Sequence, residues 1–226
     1  MTSPRSTVQR PADGNRGQAR TRLARAAVVE AARTLFLERG YGATTIDAIS
    51  DLADVPPATL YRLFSSKRGI LKGLLDVSIV GDDEEIPLAD RPIVESTTAG
   101  SDPRMQVSGF VTIAAQVNSR VAPIYQILVS AASSDSDAAM VLDELTDQRQ
   151  QGQRLIARSL ARARALRSEL SERDAADLIH ALMSPEVFRL LVVDRHWKTQ
   201  RYERWLTRTL IGQLLPPTDP NDPGPV

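Results

Sequence analysis

No cysteine occurs in the 226 residues of the chain, which removes disulfides, thiolate metal sites and cysteine nucleophiles and agrees with a reducing compartment. Long apolar runs are missing as well. No stretch approaches the roughly 18 apolar residues of a membrane-spanning helix, and the Arg-, Ser- and Pro-containing N-terminus lacks the apolar centre of a secretory signal. A cytoplasmic protein with no membrane partner is therefore expected. There are only two histidines, His180 and His196, and neither is spaced with other His, Cys or carboxylate residues as a metal site requires; Asp194 beside His196 is too small a set. A Gly-rich phosphate loop and a Gly-x-Ser-x-Gly turn are also absent. Enzyme chemistry, metals and cofactors are accordingly not expected. Net charge is zero, 28 basic against 28 acidic residues, which argues against a protein that coats nucleic acid indiscriminately.

What is present is helical periodicity and one stretch whose spacing specifies a task. The 42% hydrophobic content suits a folded protein with a proper core, and strand signals are absent, so the fold class is all-α. In residues 39–67, RGYGATTIDAISDLADVPPATLYRLFSSK, Thr44 and Thr45 stand where a helix needs its N-cap. Ile46, Ile49 and Leu52 then recur at helical spacing, predicting a short helix over Ile46 to Ala53. Asp54 tolerates the left-handed backbone of a tight turn, and Val55 can anchor that turn in the core. Pro56 and Pro57 are welcome only in a helix's first turn, so a second helix begins there, with Leu60 and Phe64 inward and Ala58, Thr59, Tyr61, Arg62 and Leu63 on or beside its outer side. Two short helices joined by such a turn form a helix-turn-helix, whose second helix fits a major groove about 12 Å wide. Lys67 and Arg68 follow within reach of a phosphate. The same geometry also occurs in all-helical proteins that never touch DNA.

The strings AARTLF, GYGATTIDAI, ATLYRLF and SSK resemble the signature of the tetracycline-repressor (TetR) family of bacterial transcriptional regulators, over roughly residues 22–78, about a quarter of the chain. Three positions depart from that pattern: Asp54 for a turn glycine, Pro56 for a Ser or Thr cap, and Ala58 for a glycine before Thr-Leu-Tyr. The departures bear on which operator is read. The resemblance implies a homodimer on a near-palindromic operator, released by a small-molecule effector held in a variable helical C-terminal domain. On that reading Thr45, Tyr61 and Lys67 contact phosphates, and Pro57, Ala58, Thr59, Arg62 and Leu63 lie nearest the bases. An activator, a regulator that answers to a protein partner, and an interaction module with a purely structural helix-turn-helix remain alternatives.

The rest of the chain suggests the following order. Residues 1–19 read as a disordered Arg-rich arm, Arg20 to Arg39 as a helix ended by Gly40, and Lys67 to Val80 as the last helix of a DNA-binding domain over 20–80. Residues 81–102, acidic and then Pro- and Gly-containing, read as a linker. A larger domain over 103–215 is expected from helices at Met105 to Arg120, Pro123 to Ala131, Asp137 to Leu166, Ser171 to Arg195 with a kink ahead of Pro185, and Gln200 to Leu215, giving about nine helices in all. Residues 216–226, rich in proline, read as a disordered tail. Phe110, Gln116, Tyr125, Gln126 and Met140 are candidates for a ligand pocket of mixed polarity, each also explicable as packing or surface. A second copy of the chain is an expected partner, because one helix-turn-helix spans few base pairs. Leu178, Leu182, Phe188, Leu191, Trp205, Leu206 and Leu210 are the candidate dimer residues. Double-stranded DNA, self and an effector of unknown class thus make up the expected partners.

Overall fold

The computed structural model describes residues 13–81 and 102–217. Residues 1–12 of the expected arm, 82–101 of the expected linker and 218–226 of the expected tail lie outside the described residues. All described regular structure is helical. The order is α1 (Asp13–Ala43), α2 (Ile46–Ala53), α3 (Pro57–Phe64), α4 (Lys67–Val80), α5 (Pro103–Ala132), α6 (Ser136–Arg162), α7 (Glu172–Leu182), α8 (Pro185–Phe188), a wide π-type turn over Arg189–Asp194, and α9 (Thr199–Leu214).

α1 begins at Asp13, inside the stretch expected to be disordered; Gly14 and Gly17 weaken a helix by about 1 kcal/mol each but do not stop one that continues into a packed face. Val28, Ala31, Ala32, Leu35 and Phe36 form that face and are all buried. At Gly40 the backbone turns to φ 76°, ψ 168°, which breaks the helix before a last short turn. α4 is amphipathic as expected, with Ile70, Leu71, Leu74 and Leu75 buried, each contributing about 1.5–3 kcal/mol.

Three expectations in the second half are corrected. Pro123 does not open a helix but lies inside α5, one helix of 30 residues. A proline there forfeits a single ladder bond, and the buried Val121, Ala122, Ile124 and Leu128 on either side hold the helix through it. α6 ends at Arg162 rather than Leu166, since Arg164 adopts φ 53° and the amide of Arg167 is taken by the Leu214 carbonyl at 2.9 Å. Pro185 causes a full break instead of a kink: α7 stops at Leu182, and the Ser184 hydroxyl accepts from the Val187 amide at 3.2 Å to start α8 with proline in its first turn. The capping box at Ser171 and Asp174 is present in both directions.

Two apolar cores result. The first joins α1 to α4 with the C-terminal part of α5 and the N-terminal part of α6, through Ile124, Leu128, Ala138 and Val141. The second joins the opposite parts of α5 and α6 to α7, α8 and α9, around Phe110, Val111, Ile156, Leu160, Ile179, Phe188, Tyr202 and Leu206. α5 and α6 are therefore shared by both cores. Among the described residues no helix is long and apolar enough to cross a membrane.

Candidate nucleic-acid interface

The interface is built from short-range caps. The Thr45 hydroxyl accepts from the Ala48 amide at 3.1 Å and opens α2, while the buried Thr44 hydroxyl is shared between the carbonyls of Gly40 at 2.8 Å and Leu35 at 3.2 Å. The inward arc of α2 is Ile46, Ile49, Ser50 and Ala53; Leu52, expected there, lies beyond its edge at 100° per residue and is exposed. Ser50 takes the buried place by donating from its hydroxyl to the Val55 carbonyl at 2.6 Å. Asp54 turns the chain in the left-handed region, φ 51°, its amide reaching the Asp51 carbonyl at 3.4 Å. No side chain caps α3; the Pro56 carbonyl instead starts the ladder by accepting from the amides of Thr59 and Leu60 at 2.8 and 3.2 Å.

Leu60 and Phe64 are buried, so the opposite side of α3 faces out. Pro57, Ala58, Tyr61 and Arg62 are exposed, and Thr59 and Leu63 half-buried beside them. Tyr61 has 54% of its surface open. Close contact between α3 and α4 depends on Gly69: a Cβ there would lie 1.8 Å from the Phe64 carbonyl oxygen.

The two basic residues after α3 are occupied within the protein. The Lys67 ammonium donates to the carbonyls of Tyr41 and Thr44 at 2.9 and 3.0 Å and lies over the Tyr41 ring at 4.1 Å, leaving one N–H for any other acceptor. Burial holds its pKa below the usual lysine value. Burial also pushes the Tyr41 phenol up to about 12. Arg68 reaches Asp137 and Glu144 of α6 at 3.7 and 3.8 Å, and Lys72 hydrogen-bonds Glu144. The far end of α4 is held from α5. Arg120 donates from Nε to the Ser78 carbonyl at 2.8 Å and from Nη2 to the Ile79 carbonyl at 2.9 Å, a cation at a helix C-terminus. None of these tertiary pairings has a sequence signal, because each joins residues more than 20 positions apart.

The expected ligand residues do not converge. Gln116 and Gln126 are exposed, and Met140, 48% exposed, meets Arg68 through its sulfur at 3.3 Å. Phe110 belongs to the second core, and Tyr125 donates to Glu186 at 2.6 Å. That last contact leads to a polar cluster missed in the sequence, in which Arg149 stands between Glu186 and His180, and His180 contacts Gln153. Of the expected dimer residues, Phe188, Leu206 and Leu210 are at most 3% exposed inside the protomer's own core, so they are not free for a partner. Leu178, Leu182, Leu191 and Trp205 are half-buried, and Leu190 and Val193, which periodicity did not single out, are about half open on the π-type turn.

Comparison with known proteins agrees with this geometry. Residues 28–74 match the model of the bacterial regulatory proteins of the tetR family, which covers α2, α3 and most of α1 and α4. The chain is 28% identical over 178 residues to the uncharacterised HTH-type transcriptional regulator YdeS of Bacillus subtilis, covering 78% of this chain and 83% of that protein. It is 35% identical over 79 residues to the HTH-type transcriptional repressor BdcR of Escherichia coli, covering 33% of this chain and 39% of that protein. Its fold is similar to that of a transcriptional regulator from Saccharomonospora viridis solved with choline, with TM-score 0.63, 17% identity, and coverage of 86% and 98% of the two chains. Residues 28–74, the helix-turn-helix with the helices that flank it, therefore match the bacterial regulatory proteins of the tetR family, and the fold of the chain through its C-terminal helices is similar to that of the S. viridis regulator.

Proposed function

We propose that the protein is a homodimeric repressor that binds a near-palindromic operator and leaves it when a small molecule binds the C-terminal helices. The observation that carries the DNA reading is the outer face of α3, where Pro57, Ala58, Tyr61 and Arg62 stand open above the buried Leu60 and Phe64. Small residues at the start of that face permit close approach to base edges, and Arg62 supplies a guanidinium of the type that reads guanine. Thr45 and Tyr61 flank the face as phosphate contacts, and Lys67 adds its charge while holding the end of α1 to the start of α4. Two such helices, spaced about one DNA turn of roughly 34 Å, fit successive major grooves. The half-buried Leu178, Leu182, Leu191 and Trp205, with the open Leu190 and Val193, are the apolar surface left for a second copy.

Release follows from the shared helices. α4 connects the DNA-reading head to the rest of the chain and is gripped at one end by α6 and at the other by α5. A ligand that shifts α5 or α6 therefore shifts α4, and a differential affinity of about 1–3 kcal/mol suffices for a switch. The choline complex of the S. viridis regulator supports a small-molecule role for this fold. The test is operator binding by Tyr61→Ala and Arg62→Ala proteins over a range of salt. Tyr61→Ala should weaken operator and random DNA alike, and Arg62→Ala should cost about 1–3 kcal/mol on the operator while relaxing its sequence preference. Unchanged affinity in both would refute the assignment of this face and favour an interaction module.

A further inference from the structure

The polar cluster between the two cores contains a charge that the protein leaves poorly matched. Arg149 lies on α6 between Leu145, packed on the first core, and Ile156, in the second. Of the five N–H donors of its guanidinium, one group, Nη2, is hydrogen-bonded, to His180 Nε2 at 3.0 Å. Nε and Nη1 are buried without a hydrogen-bond partner among the described residues. Its counter-charge, Glu186, stands 3.6 Å away, beyond hydrogen-bond reach, with 56% of its side chain open and its other carboxylate oxygen accepting from the Tyr125 hydroxyl at 2.6 Å. Because arginine can only donate, His180 must accept through Nε2 and donate from Nδ1 to Gln153 Oε1, 2.7 Å away. The imidazole is thereby held neutral and adds no second cation.

We propose that this seam is the effector site and that its ligand carries a carboxylate, bound by Arg149 in place of Glu186. The proposal rests on the effector reading above. A carboxylate offers two oxygens at the spacing of the guanidinium fork, and so would satisfy the donors that Glu186 does not reach. When Glu186 moves aside, the Tyr125 hydroxyl is freed to donate to the same ligand. The flanking cores are apolar, which suits an acid with a hydrocarbon body. The site is also placed to be felt at α4. Arg149 follows Glu144 by five residues on α6, and Tyr125 follows Arg120 by five on α5, about 7.5 Å of helix in each case. Glu144 and Arg120 are the groups that grip the two ends of α4.

The test uses the full chain with straight-chain carboxylates from acetate to dodecanoate and benzoate, each paired with its primary amide, in calorimetric titrations and thermal melts. Sulfate and phosphate serve as anion controls. At least one acid should bind about tenfold or more tighter than its amide. Arg149→Met should abolish that difference, and Glu186→Gln, which removes the internal competitor and keeps its shape, should tighten the acid by several-fold. Binding of no acid, equal binding of acid and amide or of sulfate, or a Glu186→Gln protein with unchanged or weaker acid affinity would overturn the proposal. The Glu186→Gln result decides the matter even where Arg149→Met does not fold. Operator binding measured alongside separates the two claims: an acid that binds but leaves the DNA complex intact refutes the effector reading alone, and release by neutral compounds only refutes the carboxylate site alone.

Discussion

Replacing Arg120 by Met keeps most of the aliphatic stem and removes the two hydrogen bonds that fasten the end of α4. Each bond joins a charged donor to a carbonyl, at 2.8 and 2.9 Å, and bonds of that type are worth about 1.5–3 kcal/mol when fully shielded. Arg120 is only half-buried, and the carbonyls of Ser78 and Ile79 belong to a terminal turn that water can reach after the side chain is gone. We therefore expect about 1–2 kcal/mol from the two bonds together, with about 0.3–1 kcal/mol more from the lost cation at the helix C-terminus. A total near 2 kcal/mol should appear as a lower urea midpoint at unchanged slope. Hydrogen exchange should quicken selectively at the amides of residues 78–81, because the last turn of α4 loses its tether while the first core, with Ile70, Leu71 and Leu74, stays packed. A loss under about 0.5 kcal/mol with unchanged exchange would show that α4 is held by its apolar face alone, and the relay from α5 would then have no basis.

Other expectations concern the head and the seam. Gly69→Ala sets a Cβ 1.8 Å from the Phe64 carbonyl oxygen, a backbone clash that should cost on the order of 3 kcal/mol or prevent folding; wild-type stability in urea would refute the packing of α3 on α4. At Asp54, φ 51°, substitution by Val should cost about 1–2 kcal/mol, while Gly should stay within about 0.5 kcal/mol of wild type; equal effects would refute the left-handed turn. Burial, and then the Arg149 charge, hold the His180 pKa below its ordinary value. The unfolded chain therefore binds the proton more readily, so the contribution of His180 is fully present above about pH 6.5 and is lost as pH falls through the folded value. His180→Gln should flatten that part of the stability profile, measured by urea titration across pH; an unchanged slope would refute the neutral imidazole.

The features legible in the sequence are those decided within one or two helical turns. Thr45 and Ser171 accept from amides three residues on, Asp54 takes the left-handed turn, and Pro57 sits in the first turn of α3 where its missing N–H costs nothing, each as its chemistry requires. Pro123 shows the limit of that reasoning: as a local signal it starts a helix, but buried neighbours on both sides make continuing α5 cheaper than breaking it. Pro185 shows the reverse, since Ser184 provides a cap and a new start. Three-residue spacing alone puts Leu52 on the inward face, but Ser50 satisfies its own hydroxyl and fills the inward arc, which leaves Leu52 exposed. The pairings of Arg120 with α4 and of Arg149 with His180 and Glu186 cross between helices, and no periodicity reports them. For the same reason the periodicity of Phe188, Leu206 and Leu210 suggests partner surface, whereas packing of α8 and α9 on α5, and of α9 on α7, makes them core.

Reading of an operator by the outer face of α3, as part of a dimer, can be measured by fluorescence-anisotropy titration of the protein against DNA upstream of its own gene, with random duplex as competitor and salt varied. Tight, competitor-resistant binding of two chains per near-palindromic site is expected, with a steep salt slope that Tyr61→Ala, which removes no charge, leaves unchanged while weakening the complex. Binding that random duplex displaces equally well, there and on every fragment recovered from a genome-wide selection, would contradict it.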